Sequence, residues 1–166
     1  MTDHVVDTNV LLVASAAHPY SPFGDSDLPK DLQGRVFEWL TAFQKDTTRN
    51  MVWDVEFKIY DEYRNKLTAQ DYGMLVVNEK MAQARWIDIE YDENGDGVVP
   101  KAFSAFDRSD RKLLAVLLAD TDGTSLVNAT DTDWLEIEAQ LQDAAAQVDH
   151  LLEHWLRAKY DEKTGP

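Results

Sequence analysis

The chain has 166 residues, of which 44% are hydrophobic, and it carries a formal net charge of −15 at neutral pH. This is enough chain to bury a sizeable core, so we expect residues 1–166 to form a single domain, and the absence of cysteine excludes disulfide bonds, thiolate zinc sites and a cysteine nucleophile. The strong negative charge argues against a general nucleic-acid binder, because affinity for phosphate backbones comes mostly from Lys and Arg.

The N-terminal stretch over residues 5–13 predicts a short buried strand that turns directly into a helix, with Thr8 or Asn9 as the helix cap. Asp7 lies at the junction. Open α/β sheets place their ligands outside the carboxyl ends of their strands. We therefore expect Asp7 to lie at a ligand site and to face the positive end of a helix dipole.

The next elements follow a loop rich in Pro, Ser, Gly and Asp. Helically spaced apolar residues predict a second helix over residues 31–46, with Asp31 as its candidate cap. Residues 51–53 predict a second short strand, and Asp54 is expected to cap the third helix. Glu62 lies beside the buried stripe of that helix.

Residues 68–84 predict a fourth helix, and the alternating residues 86–90 predict a half-buried or edge strand. A polar turn at residues 94–97 precedes a strongly apolar helix over residues 109–119. Residues 125–128 predict the next strand. Because short strands alternate with longer helices, we expect an α/β fold with a parallel sheet covered on both faces.

The C-terminal third differs from the rest, since apolar residues from Ile137 to Trp155 are spaced 4, 3, 4, 3 and 4 apart. This heptad-like seam predicts amphipathic helices that pack on the domain's own sheet or form a contact with a partner helix. Residues 135–138 run into helical sequence, so no further strand is evident. His150 and His154 would share one helix face, but a third metal ligand is not evident.

Five acids follow strand ends or open helices, which allows them to converge at one edge of a parallel sheet. They are Asp7, Glu62, Asp110, Asp131 and Asp133. Carboxylates brought this close repel one another unless they are protonated or share a cation. Their hard oxygen ligands suit Mg²⁺ or Mn²⁺, and such an ion can activate water for attack on phosphorus. The pattern therefore predicts metal-dependent phosphodiester cleavage.

Basic residues flank two of these acids. They can offset the negative charge of the chain near the edge of the sheet where the acids converge. Lys58 precedes Glu62, and Arg108, Arg111 and Lys112 surround Asp110. We expect these four cations to contact the nucleic-acid substrate.

Four stretches together resemble the motifs of PIN-domain proteins. They are V-V-D-T-N-V-L-L, I-Y-D-E-Y-R-N-K-L, D-R-K-L-L-A-V-L-L-A and V-N-A-T-D-T-D-W, within residues 4–135. The resemblance implies a three-layer, Rossmann-like α/β/α sandwich with four or five parallel strands, usually in the order 3-2-1-4-5. It also implies nuclease activity with Mg²⁺ or Mn²⁺, most often on RNA. Many such proteins are toxins of bacterial toxin–antitoxin pairs.

The motifs also imply roles for particular residues. The metal-site acids would be Asp7, Glu62, Asp110 and Asp131, with Asp133 as a fifth or second-metal ligand. Asp107 lies one helical turn from Asp110, and either could be the third ligand. Asn9 would orient the first aspartate, and Thr130 would support the site from beside Asp131.

Three other metal or phosphate motifs fit less well. Asp92 to Gly97 matches the start of an EF-hand loop, but Phe103 stands where the bidentate glutamate is needed. A haloacid-dehalogenase-type phosphatase would need an acid at the position of Asn9. A response-regulator receiver domain would need an acidic neighbour for Asp7.

We therefore expect a divalent-metal-dependent endoribonuclease, with DNA as a second substrate class. The alternative is a catalytically silent PIN-like module whose C-terminal helices, residues 136–160, mediate a homodimer or bind an inhibitor protein. The N-terminus lacks a basic, apolar export signal, and no apolar run is long enough to span a membrane. These features predict a cytoplasmic protein.

Overall fold

A computed structural model describes residues 2–21 and 28–165. Within these residues short strands alternate with helices, as the sequence predicts. The elements in chain order are β1 (His4–Val6), α1 (Thr8–Ala17), α2 (Lys30–Lys45), β2 (Val52–Asp54), α3 (Lys58–Lys66), α4 (Tyr72–Lys80), β3 (Arg85–Ile87), α5 (Arg111–Ala119), β4 (Ser125–Asn128), α6 (Asp133–Glu136), α7 (Glu138–Asp143), β5 (Gln147–His150) and α8 (Glu153–Thr164).

The paired strands are parallel and form a three-stranded sheet in the order β1-β4-β5 and a two-stranded sheet of β2 and β3. One isolated parallel bridge, between His4 and Met51, lies between the two sheets. The α/β class is therefore confirmed, whereas the strands are divided between two sheets instead of forming one sheet of four or five.

The core lies between these strands and the helices. Helix α5 contacts β1, β2 and β4, while α1 contacts α2, α3 and α4. The strand residues Val5, Val6, Leu126 and Val127 are fully buried in this core. Their burial on both faces explains why β1 and β4 lack the polar alternation of a half-exposed strand.

The junction of β1 and α1 differs in detail from the prediction. Asp7 itself occupies the N-cap position, so the prediction that Thr8 or Asn9 caps the helix is wrong. The Thr8 hydroxyl instead donates to Glu62, and the Asn9 side chain bonds to the segment after β4. Asp31 is likewise not a cap, because Pro29 holds the N-cap position of α2.

Asp54 is not the N-cap residue of α3, because Phe57 holds that position, but its carboxylate caps the first turn of the helix from the end of β2. Its carboxylate accepts hydrogen bonds from the backbone N–H groups of Lys58 at 2.9 Å and Ile59 at 3.0 Å. The N-cap position is held by Phe57, which adopts a left-handed conformation with φ of 64°. The carboxylate thus satisfies two N–H groups that the first turn of a helix leaves unpaired.

The predicted polar turn at residues 94–97 is present. The Asp92 side chain accepts hydrogen bonds from the backbone N–H groups of Asn94 at 2.8 Å and Asp96 at 3.0 Å. Gly95 has φ of 81°, a conformation that glycine adopts without steric cost. The acidic loop that partly matches an EF hand is therefore closed by its own side chain as a turn.

The C-terminal third contains a strand in a segment where the heptad-like seam predicted a helix. Residues 147–150 form β5 and pair with β4, so the prediction of helix in this segment is wrong. His150 lies on β5 and His154 on α8, and the two histidines do not share a helix face. Val148 is partly buried against the core. An apolar residue at this position fits a helix as well as a strand, so the apolar pattern did not distinguish the two structures.

None of the helices within the described ranges is long and apolar enough to cross a membrane.

Helix α4 approaches α1 closely at Gly73. The Gly73 N–H donates to the Ser15 hydroxyl at 2.9 Å, and a Cβ at this position would lie 2.8 Å from the Leu11 carbonyl oxygen. A side chain would therefore force the two helices apart. This contact explains why a glycine stands in the first turn of a helix.

We expect Gly73→Ala to lower the free energy of unfolding by about 1–3 kcal/mol, because the added methyl group meets the backbone of α1. Gly34→Ala is the matched control, since a Cβ at Gly34 in α2 meets nothing within 4 Å. That change should stabilise the protein by about 0.5–1 kcal/mol through higher helix propensity. Urea denaturation measures both, and equal effects of the two substitutions would contradict the close approach.

Candidate metal centre

Three of the predicted acids come together at the carboxyl ends of β1 and β4. Asp7, Asp110 and Asp131 each offer one carboxylate oxygen, and these oxygens lie within 4.8 Å of one another. Asp7 follows β1, Asp131 follows β4, and Asp110 directly precedes α5. Residues more than a hundred positions apart thus share one small volume.

Asp7 is the most enclosed of the three, with 4% of its surface exposed. Its Oδ2 accepts a hydrogen bond of 2.7 Å from the indole N–H of the fully buried Trp134. Burial raises the pKa of Asp7 from 3.8 to about 7, and the charges of Asp131 and Glu62 add to this rise. The indole hydrogen bond opposes the rise and fixes the direction of the carboxylate.

Asp110 titrates even higher. Burial raises its pKa from 3.8 to about 9, and the charges of Asp7 and Asp131 are the next causes. Asp110 ends a short 3₁₀ turn, Arg108–Asp110, and holds the N-cap position of α5. Burial and the neighbouring carboxylates therefore favour the protonated form of Asp110.

Asp131 is held by a network that links α1 to the segment after β4. The Asn9 Oδ1 accepts from the backbone N–H groups of Ala129 at 2.9 Å and Thr130 at 3.1 Å, while its Nδ2 donates to Asn128 at 3.0 Å. Asn128 in turn bonds to both the N–H and the carbonyl of Asp131. The side chain of Asn9 therefore positions the Asp131 segment, and Thr130 contributes its backbone to that arrangement.

Asp133 belongs to a second group of acids. One carboxylate oxygen from each of Asp107, Asp110 and Asp133 lies within 4.8 Å of the others. Burial raises the pKa of Asp133, with the charge of Asp131 as the next cause, while the charge of Lys163 opposes the rise. Asp110 is common to both groups. The alternatives Asp107 and Asp110 therefore both lie at the centre, with Asp110 at the junction.

Glu62 lies at the margin of this centre. Within the described chain it belongs to neither group of three acids. Its carboxylate accepts hydrogen bonds from Lys112 Nζ at 2.8 Å and from the Thr8 hydroxyl. Its charge nevertheless contributes, after burial, to the raised pKa of Asp7. Glu62 is thus within electrostatic reach of the centre while it is paired with a lysine.

The four cations expected to contact substrate already have partners. Lys112 pairs with Glu62, and Arg108 pairs with Asp96 at 2.7 Å. The Arg111 guanidinium donates to the carbonyl oxygens of Phe106 at 3.0 Å and Ser104 at 2.7 Å. The ammonium of Lys58 lies 5.0 Å from the centre of the Tyr91 ring.

Sequence reasoning missed two residues that support the acids, Trp134 and Asn128. Trp134 directly follows the T-D-T-D segment, but nothing in the sequence identified Asp7 as the partner of its indole, because 127 positions separate the two residues. Asn128 ends β4 and looked like an ordinary strand residue. Its spacing from Asp131 is typical of a side chain that closes a turn, and this was the available signal.

The donor set suits a hard divalent cation. Oxygens on opposite sides of a Mg²⁺ ion lie about 4.2 Å apart, since each Mg²⁺–O distance is about 2.1 Å. One carboxylate oxygen from each of Asp7, Asp110 and Asp131 lies within 4.8 Å of the others, so the three acids are close enough to contact one such ion. The raised pKa values of Asp7 and Asp110 reflect negative charge that a cation would offset.

Comparison of the chain with models of protein families, with curated proteins and with solved structures finds no match. The assignment of a function therefore depends on the residues of this centre.

We expect Asp7→Asn to change the pH dependence of stability in metal-free buffer. The folded protein holds a proton on Asp7 up to about pH 7, whereas the unfolded chain releases it near pH 3.8. The unfolding free energy of the unaltered protein should therefore fall relative to that of the variant as the pH rises from about 4 to about 7. Denaturant unfolding in EDTA at several pH values measures this difference.

When the same experiment is done with Mn²⁺ at pH 8, the unfolding free energy of the unaltered protein should rise, because the ion binds the folded state. The unfolding free energy of Asp7→Asn should change little. Asp61→Asn removes an exposed acid from α3 and serves as the control, which should behave like the unaltered protein. In the metal-free measurement, the unfolding free energies of Asp7→Asn and of the unaltered protein are compared across the pH range. If their difference does not change with pH, Asp7 does not retain its proton in the folded protein.

Proposed function

We propose that this protein is a metal-dependent endoribonuclease of the PIN type. The observation that carries the proposal is the convergence of Asp7, Asp110 and Asp131, whose oxygens lie within 4.8 Å of one another. Acids that share a buried volume at such a cost in repulsion are typical of functional sites. Oxygen-only ligands favour Mg²⁺ or Mn²⁺ over zinc or iron.

The arrangement of strands supports the PIN-type part of the proposal. Across the bridge between His4 and Met51, the neighbouring strands follow the order β3-β2-β1-β4-β5. This is the order that the sequence resemblance implies. The strand β5 extends this order, and the acids lie at the carboxyl ends of β1 and β4, where open α/β sheets bind ligands.

The residues that would hold an ion are Asp7, Asp110 and Asp131, and Asp107 with Asp133 would complete a second position beside Asp110. A bound divalent ion would lower the pKa of a water molecule for attack on phosphorus. Its positive charge would also stabilise the negative charge on the phosphate oxygens. Glu62 is proposed as an outer carboxylate of the same site.

The surrounding residues prepare the acids for this role. Trp134 orients Asp7 by its indole N–H, and Asn9 and Asn128 hold the segment that carries Asp131. Asp7 and Asp110 must release their protons to solvent before they can hold a cation. Because the pKa of Asp7 is about 7 and that of Asp110 about 9 without a cation, metal binding should strengthen as the pH rises.

RNA is the proposed substrate, with DNA as the second class, and a role as a toxin is part of the same proposal. A catalytically silent PIN-like module is the second candidate. The ion pair between Glu62 and Lys112 favours it, because the pair occupies one of the carboxylates expected to serve the metal. Activity measurements separate these two candidates directly.

We expect the purified protein to cleave single-stranded RNA internally in the presence of Mn²⁺ or Mg²⁺, and EDTA to stop the reaction. Asp7→Asn and Asp110→Asn should each lower the cleavage rate by at least about a hundredfold, because each removes a charged ligand from the centre. Electrophoresis of an end-labelled RNA measures the rate and shows whether cleavage is internal.

Asp61→Asn is the matched control, since it removes the same charge from an exposed position one residue from Glu62. It should retain full activity. Cleavage that survives in Asp7→Asn, or that continues in EDTA, would show that the activity arises from a contaminant or from another site. A protein that binds Mn²⁺ without cleaving RNA would support the silent module.

A further inference from the structure

A groove beside the proposed metal centre is lined by residues of four parts of the chain. It has a volume of about 410 Å³ and lies between α1, the residue Leu28 before α2, the segment after β4, and α8. The lining residues are Val13, Leu28, Thr130, Thr132, Trp155, Lys159 and Lys163. None of the α8 residues in this set was among those expected to contact the substrate.

Helix α8 presents one face to the groove, because Trp155, Lys159 and Lys163 are spaced four residues apart. The indole of Trp155 is half-buried against the core, and Lys159 lies 5.8 Å from the centre of that ring. One aromatic surface and two ammonium groups therefore line the same side of the groove. Stacking surfaces combined with positive charge are typical of sites that bind single-stranded nucleic acid.

The groove adjoins the acids directly. Lys163 Nζ donates to the Thr132 hydroxyl at 3.1 Å, and Thr132 lies between Asp131 and Asp133 in sequence. Lys163 is also near enough to Asp133 for its charge to oppose the rise in the pKa of that carboxyl, which burial causes. A strand that enters the groove therefore passes next to the metal-binding segment.

The two lysines retain capacity to bind phosphate. An ammonium group has three N–H donors, and Lys163 uses one of them on Thr132. Lys159 pairs with Glu162 at 3.5 Å, with both side chains substantially exposed, and such surface pairs are weak. By comparison, the Arg111 guanidinium is committed to backbone carbonyls, and Lys112 is half-buried against Glu62.

We propose that this groove binds single-stranded RNA on one side of the cleavage site, with a base stacked on Trp155 and phosphates bound by Lys159 and Lys163. The proposal rests on the proposed nuclease function, and it names the surface that holds the substrate. It also accounts for nucleic-acid binding by a chain of net charge −15, since the contact depends on a local pair of cations beside the acids.

The test measures binding of a fluorescent ten-nucleotide single-stranded RNA by anisotropy, in the Asp7→Asn protein so that cleavage does not intervene. Adding Lys159→Ala and Lys163→Ala together should weaken binding at least about tenfold. It should also reduce the slope of log affinity against log salt by about 1.4, because two phosphate contacts are lost at roughly 0.7 each.

The matched control is Lys45→Ala with Lys66→Ala, which removes the same charge from two exposed positions. Lys45 ends α2 and Lys66 ends α3, and neither residue lines the groove. The control should bind RNA within about twofold of its parent. Equal losses in the two double variants would overturn the proposal, since they would reflect net charge alone.

Trp155→Leu tests the stacking contact. It should weaken binding about tenfold without changing the salt slope, because stacking does not neutralise phosphates. Denaturant unfolding verifies that the variant is folded, and unchanged RNA affinity in a folded variant would overturn the role of Trp155.

Cleavage by the unaltered protein with Mn²⁺ is measured in parallel. If the protein cleaves RNA but the α8 lysine substitutions do not change RNA affinity, the proposal that the groove binds RNA is overturned. The nuclease proposal then stands. Lysine-dependent binding without cleavage would support the groove and overturn the nuclease.

Discussion

The mutual repulsion of Asp7, Asp110 and Asp131 is the constraint on which the arrangement of this protein depends. Three carboxylates whose oxygens lie within 4.8 Å of one another destabilise the folded chain unless protons or a cation offset their charge. Burial and this repulsion together raise the pKa of Asp7 to about 7 and that of Asp110 to about 9. The fold keeps them together despite this cost, because each acid is attached to a different rigid element.

The supporting contacts show how the fold maintains that proximity. The indole of Trp134 holds Asp7, and Asn9 links the start of α1 to the segment after β4. These bonds run between elements that are distant in sequence and adjacent in space. Rigid supports of this kind restrict the motion by which the acids could separate, and they are characteristic of preorganised metal sites.

Charge is distributed unevenly around the centre. Lys112 and Arg108 pair with acids, and Arg111 holds backbone carbonyls, so these cations stabilise the local structure next to Asp110. Lys163 of α8 reaches the same region through its hydrogen bond to the Thr132 hydroxyl. The net charge of −15 therefore does not describe the electrostatic environment of the groove, which depends on a few positioned side chains.

The sequence by itself determined the local features of the protein. The alternation of short apolar strands with longer helices predicted the α/β class, and the bounds of β4 and the capping role of Asp54 followed from local patterns. It also identified Asp7, Asp110, Asp131 and Asp133 as acids placed at strand ends and helix starts. These features depend on neighbouring residues, which sequence patterns describe directly.

Only the tertiary structure decided which of these local features meet. It placed β5 beside β4, brought Trp134 to Asp7, paired Glu62 with Lys112 and turned one face of α8 towards the acid segment. Residues 147–150 carry a seam that fits a helix as well as a strand, so pairing with β4 decided their structure. The physical reason is that contacts between distant residues depend on packing and burial, which have no signature in local spacing.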